Sequence, residues 1–379
     1  MNHPAEIYKN LALHLDNLPG GYPATESGVE RRILEKLFSR EEATLARHLT
    51  LLDEKSFVVA YRAGISVQSA DQLLQQMADK GLIFYTPEKD GTTSFMAAQF
   101  VVGIWEMQVG RLDKELADLF EEYRPALFLE NEWKQVPQLR TIPVEQSINR
   151  ELRVLPYEKA RELIKEKSNF VVTPCICRIE KGLGDSACNK PLETCISFGS
   201  DEDFFTDRSS GRQATRDEVL EILEIADKKG LVIQPSNGQE ITWICCCCGC
   251  CCAVLRTIKT FPKPNELTSS PFMLVVNSDL CDGCKKCIKR CQMDAITVPV
   301  ETVVLEKDRC IGCGLCVTSC STEALKLVRK PASEQPRVPK NLVAASIKTL
   351  KLRGKARLPN LAMTVFRSKR DRFLARNYR

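Results

Sequence analysis

Apolar positions recur three and four residues apart over 28–52: Ile33, Leu34, Leu37 and Phe38, then Leu45, Leu49 and Leu52 after Glu41-Glu42. That spacing predicts helices with one buried stripe. A short helix over 57–63 is stopped by Gly64, and Ser66 is placed to cap a helix through Lys80, with Gly81 at its end. Residues 82–86 and 93–97 then flank Lys89-Asp90-Gly91, a turn signal between two strands.

Further on, Ile104, Trp105, Val109, Leu112, Leu116, Leu119 and Phe120 predict one long amphipathic helix over 100–123. Pro125, Pro137 and Pro143 mark an irregular connection, and Pro156 suits the first turn of another helix. Thr215-Arg216-Asp217-Glu218 is a capping box for a helix through Lys229, stopped by Gly230. A second hairpin, 231–234 and 240–244 around Ser236-Asn237-Gly238, runs into Cys245-Cys246-Cys247-Cys248-Gly249-Cys250-Cys251-Cys252. Helices followed by hairpins, rather than strict alternation, predict an α+β fold. The first helix–turn–helix and hairpin resemble a winged helix.

Composition narrows the chemistry. Nineteen cysteines in 379 residues, with no basic and apolar leader at the start, predict a reducing, cytoplasmic setting in which thiolates hold metal rather than disulfides. No apolar run approaches the roughly twenty residues of a transmembrane helix. The net charge of +5 conceals a split. Residues 331–379 hold thirteen Lys/Arg against two acids, a local +11, which leaves −6 on the other 330 residues. No P-loop, no GxGxxG after a strand and only three histidines are present, so no catalytic constellation stands out.

One internal repeat is unmistakable. Cys281-x2-Cys284-x2-Cys287-x3-Cys291 returns 29 residues later as Cys310-x2-Cys313-x2-Cys316-x3-Cys320, each copy preceded by an apolar strand. This is the bacterial ferredoxin spacing, in which the fourth cysteine of each run serves the other cluster. Two 4Fe–4S clusters are therefore expected. Cys281, Cys284, Cys287 and Cys320 would hold one, and Cys310, Cys313, Cys316 and Cys291 the other. Zinc is the competing ion, but it uses separate CxxC pairs rather than overlapping triplets. Gly283, Gly312 and Gly314 would let backbone N–H groups approach the sulfides, while Ile288, Ile296, Val317 and Leu325 would shield the cubes. Gln292 and Ser321 stand where this pattern usually has proline.

The other eleven cysteines are less regular. Cys175, Cys177, Cys188 and Cys195 form a C-x-C-x10-C-x6-C series expected to hold a third cluster, with Arg178 as counter-charge. Cys245, Cys247, Cys248, Cys250 and Cys251 are candidate ligands for a further one, only some of the run because neighbouring cysteines cannot all face one cube; zinc, or structural or redox thiols, are the alternatives for this region. The order of winged-helix-like start, Pro174-Cys175-Ile176-Cys177-Arg178, the cysteine run and the double motif resembles 4Fe–4S dicluster-domain proteins of anaerobic bacteria, over roughly residues 20–330.

The expected organisation is a winged-helix-like domain (1–98), a helical connector (99–168), a cysteine-rich cluster domain (169–265), a two-cluster ferredoxin domain (270–330) and a basic tail (331–379). The expected function is a relay of single electrons between a low-potential donor and a partner oxidoreductase in an anaerobic cytosol, as a carrier or subunit rather than a stand-alone enzyme. The alternative is a redox-sensing DNA-binding regulator. Against it, residues 27–95 carry nine Lys/Arg and ten Asp/Glu, and nucleic-acid affinity rests on phosphate neutralisation. The tail reads either as a solvated, partly helical extension or as a patch for an acidic redox partner, an anionic membrane surface or nucleic acid.

Overall fold

The computed structural model describes residues 4–378 apart from 129, 150, 166, 185, 200–210 and 356–357. The chain divides into two compact units, one of residues 4–127 with 346–378, the other of residues 128–199 with 212–345.

In the first unit, helices α1 (Pro4–Asp16), α2 (Val29–Leu37) and α3 (Arg40–Ala46) precede strand β1 (Glu54–Lys55), α4 (Ser56–Ala63), α5 (Val67–Asp79), β2 (Ile83–Pro87) and β3 (Thr93–Ala97). The caps do what the sequence asks of them. Ser39 and Glu42 form a reciprocal capping box at α3, Gly64 takes a left-handed conformation after α4, and Ser66 accepts from the Ser69 N–H at α5. The hairpin β2–β3 forms as predicted, and β1 joins its β3 edge to give the order β1-β3-β2.

The long helix predicted over 100–123 is broken. Val101, Val102 and Gly103 have non-helical backbone, and Asp113 caps a shorter helix, α6 (Lys114–Tyr123), by accepting from the Leu116 N–H. A β-branched pair beside a glycine, with Gly110 further on, undercuts the helical period that the apolar residues suggest. Ile104, Trp105, Leu116, Leu119 and Phe120 are buried all the same, and Trp105 stacks on Phe120 with ring centroids 3.8 Å apart.

The second unit begins with α7 (Glu130–Gln135) and α8 (Ala160–Lys165). Strand β4 (Ser168–Pro174) leads into α9 (Ile176–Gly182), followed by β5 (Glu193–Gly199), β6 (Arg212–Ala214), α10 (Arg216–Lys228), β7 (Val232–Pro235), β8 (Trp243–Cys247) and α11 (Ala253–Ile258). The strands form one antiparallel sheet in the order β6-β4-β5-β8-β7, and α10 packs against β4, β5 and β7. Its register decides where the cysteines go. Cys195 pairs with Cys245, and Ile196 with Ile244. Successive side chains alternate between faces. Cys195, Cys245 and Cys247 therefore share one face, while Ile196, Ile244 and Cys246, each nearly inaccessible, share the other.

The repeat follows as two pseudo-symmetric halves. Strand β9 (Phe272–Val276) pairs with β12 (Leu325–Arg329), and β10 (Ile296–Thr297) with β11 (Val304–Leu305); α12 (Lys286–Arg290) lies inside the first cysteine run. The backbone repeats even where the residues do not. Lys285 and Gly314 both have positive φ, as do Asp294 and Glu323.

The chain returns to the first unit within α13 (Leu342–Leu352) and ends in α14 (Leu358–Leu374). The tail is anchored, not simply solvated. Ser368 donates to the buried Glu54 carboxylate at 2.6 Å, Arg62 pairs with Glu54 at 2.8 Å and with Asp371 at 3.1 Å, and Arg353 pairs with Asp16 at 2.6 Å. Phe366 and Phe373 of α14 are exposed.

Candidate metal centres

The cysteine repeat closes on two cavities. One is lined by Cys281, Cys284, Cys287 and Cys320, together with Val298, Val303, Ala324 and Leu325. The other is lined by Cys291, Cys310, Cys313 and Cys316, together with Leu274, Met293, Leu315 and Leu327. Each therefore draws three cysteines from one run and the fourth from the other. Between them lies a shared apolar core that includes Leu274, Ile296, Val298, Val303 and Leu325.

The loops around these cavities need their glycines. Gly312 has φ +68, and a Cβ there would lie 2.3 Å from the Phe272 carbonyl oxygen; at Gly283, also φ +68, a Cβ would lie 2.8 Å from the Glu301 carbonyl oxygen. The shield differs in part from expectation. Ile296 and Leu325 line the cavities, but Ile288 is 38% exposed and neither it nor Val317 lines one, because α12 turns Ile288 outward.

The two cavities differ in access. Cys284 is exposed, and Lys285, Lys286 and Lys289 beside it are exposed as well. Around the second cavity burial pushes the Cys313 thiol up to about 12 and the Cys316 thiol well above its ordinary value. Burial raises the Cys310 thiol as well, and thiols held protonated in this way must lose their protons when a metal loads. The Ala295 N–H donates to Cys291 Sγ at 3.3 Å.

The eleven remaining cysteines fall into two further groups and one outlier. The sulfurs of Cys188, Cys248, Cys250 and Cys251 all lie within 4.8 Å of one another, an arrangement able to hold a metal ion. Cys175, Cys177, Cys195, Cys245, Cys247 and Cys252 meet elsewhere, in a ring of thiol contacts. The series expected to act together is thus divided: Cys188 sits with Cys248, Cys250 and Cys251, whereas Cys175, Cys177 and Cys195 group with Cys245. Cys252, which the sequence reading passed over, belongs to the ring. Cys246 alone turns to the opposite face of β8, where burial pushes its thiol up to about 12.

Two side chains tie the cysteine-rich sheet to the repeat. Gln292, which follows Cys291, accepts from the Gly249 N–H at 2.8 Å through Oε1. Arg290 donates to the Leu315 carbonyl at 3.1 Å and to Asp227 Oδ1 at 2.6 Å, joining both halves of the repeat to α10.

With this geometry in view, the comparison with known proteins is specific. Residues 280–324 match the 4Fe–4S dicluster domain family. The match covers the dicluster module and leaves the rest of the chain unassigned. No curated protein and no solved structure matches the chain. The chain thus carries an iron–sulfur dicluster module, and among the described residues no helix is long and apolar enough to cross a membrane.

Proposed function

We propose that the protein is a one-electron carrier that serves a partner oxidoreductase through two 4Fe–4S clusters. Cys281, Cys284, Cys287 and Cys320 hold one cluster, and Cys310, Cys313, Cys316 and Cys291 the other. The observation that carries this reading is the exchange of fourth cysteines between the two cavities. A zinc site has no use for that exchange. Each cube, once bound, supplies a one-electron couple whose potential responds to burial and to hydrogen bonds at its sulfurs.

The residues of the chain set the rest. The buried walls around Cys310, Cys313 and Cys316 exclude water, and the exposed edge at Cys284 is where a partner would approach. Lys285, Lys286 and Lys289 there favour a partner with an acidic surface. The Cys188, Cys248, Cys250 and Cys251 group takes a further metal centre in this reading.

We read the first unit as winged-helix-like, which its order β1-α4-α5-β2-β3 supports, and assign it to packing rather than to DNA reading. Lys80, the cation that closes α5, is paired with Glu42 at 2.8 Å, and the tail grips α4 through Arg62. A DNA reader leaves its cations free for phosphates.

The test is anaerobic purification followed by iron and sulfide quantitation and EPR. Roughly eight iron and eight acid-labile sulfide in the dicluster module, reducible by single electrons, are expected. Zinc in their place would refute the reading.

A further inference from the structure

Six cysteines of the central sheet form a closed circuit of neighbouring side chains. Cys175 neighbours Cys177 and Cys195; Cys177 neighbours Cys252; Cys252 neighbours Cys247; Cys247 neighbours Cys245; and Cys245 neighbours Cys195. The fold builds this ring from four places. Cys195 and Cys245 are direct cross-strand partners on β5 and β8, and Cys247 is on the same face two residues on. Cys175 and Cys252 are the residues immediately before α9 and α11, and Cys177 lies in the first turn of α9. Cys175, Cys247 and Cys252 are each less than a tenth exposed.

A ring of six neutral thiols does not explain Arg178. Its side chain is 3% exposed. It donates to the carbonyls of Pro191 and Cys246, each at 2.8 Å, and to the Thr194 hydroxyl. Its partners among the described residues are these two carbonyls and one hydroxyl, none of them a carboxylate. A buried cation without a counter-charge is too costly to keep. The anions available are sulfurs: Cys175 stands at the start of the helix that carries Arg178, and Cys247 follows the carbonyl that its guanidinium binds.

We infer that Cys175, Cys177, Cys195, Cys245, Cys247 and Cys252 together ligate a polynuclear iron centre, distinct from the dicluster module, with Arg178 as its buried counter-ion. Six ligands exceed the shell of one tetrahedral ion, and a cube with one thiolate per iron takes only four. More than one iron, with sulfurs shared between them, uses all six. Iron rather than zinc suits the surroundings, because the same cysteine run is pressed onto the dicluster module through Gly249 and Gln292. The inference does not depend on how the dicluster module works.

The test uses the full chain, purified without oxygen, and three variants. In Cys195→Ser/Cys245→Ser, about two or more irons per chain should be lost while the dicluster EPR signals persist. Those signals also show that the variant has folded. In Arg178→Met the centre should become harder to reduce, because a positive charge beside it is gone, and Arg178→Lys should restore most of its potential. An iron content unchanged in the double variant would overturn the inference. So would zinc in the ring, or a chain mass lowered by two hydrogens for each cysteine pair, which would mean disulfides. A midpoint unmoved by Arg178→Met would remove Arg178 from the centre.

Discussion

Gly249 lies between Cys248 and Cys250, and its backbone is pressed against the residue that follows Cys291. A Cβ at this position would lie 2.1 Å from the Gln292 carbonyl oxygen and 3.0 Å from its carbonyl carbon. Both are backbone atoms on the rim of the second cavity, so no rotamer change can relieve the clash. Gly249→Ala must therefore push the cysteine run and the dicluster module apart by about an ångström. The separation also removes the hydrogen bond from the Gly249 N–H to Gln292 Oε1, at 2.8 Å. Overpacking of this kind costs about 1–3 kcal/mol and the hydrogen bond about 1 kcal/mol. The sum, about 2–4 kcal/mol, corresponds to a fall in Tm of roughly 5–15 °C for a unit of this size. Anaerobic calorimetry of the full chain, with iron measured on the same sample, reads it. Gly182→Ala is the control, since nothing lies within 4 Å of a Cβ there, and it should leave Tm unchanged or slightly raised. A Gly249→Ala protein with full iron and a Tm within about 2 °C of the parent would refute the apposition.

The exchange of fourth cysteines predicts matched pairs of variants: Cys320→Ser should abolish the same EPR signal as Cys284→Ser, and Cys291→Ser the same one as Cys313→Ser. The reverse pairing would show that each run binds its own cluster. Cys246→Ala should leave the iron content unchanged while Cys247→Ala lowers it, because the two side chains leave β8 on opposite faces. Arg62→Ala strands the Glu54 carboxylate in the first unit and should cost about 3–5 kcal/mol, read as a lower Tm and as protease cleavage of the released tail. Burial, with the charges of Arg47 and other neighbours, holds His14 and His48 down at about 4. The unfolded chain then binds more protons than the folded one between pH 4 and 6.5, so the first unit should lose stability as pH falls through that window. NMR titration of the two imidazoles with midpoints at ordinary values would contradict this.

Local chemistry was legible in the sequence. The Ser66 and Thr215 caps, the Gly64 and Gly230 stops and both hairpins follow from residues within a few positions of one another, and all are present. So is the dicluster repeat, whose ligand spacing is encoded in loops too short to fold otherwise. The helix over 100–123 was misjudged because its apolar spacing outweighed the local cost of Val101-Val102-Gly103. The grouping of the other eleven cysteines was not legible, because it is set by strand register. Cys195 meets Cys245 only because β5 pairs with β8, a contact fifty residues apart in the chain. One sequence signal was available: Cys245 and Cys247 alternate with Cys246 at the period of a strand, which already divides the run between two faces. Gln292 is a second case. Its departure from proline looked like a defect of the motif, yet its side chain caps the Gly249 N–H.

The division of the cysteine run has a consequence for how the protein matures. Cys245, Cys247 and Cys252 face the ring, while Cys248, Cys250 and Cys251 face Cys188, so the ligands of the two sites interleave along eight residues. Filling either site fixes the backbone that presents ligands to the other, and the ordering entropy is met only once. On the proposal that both sites load, their assembly is cooperative and a half-loaded chain is short-lived. A shift of one residue within this run would misdirect both sets at once, so its length is under tighter constraint than the identity of any single cysteine in it.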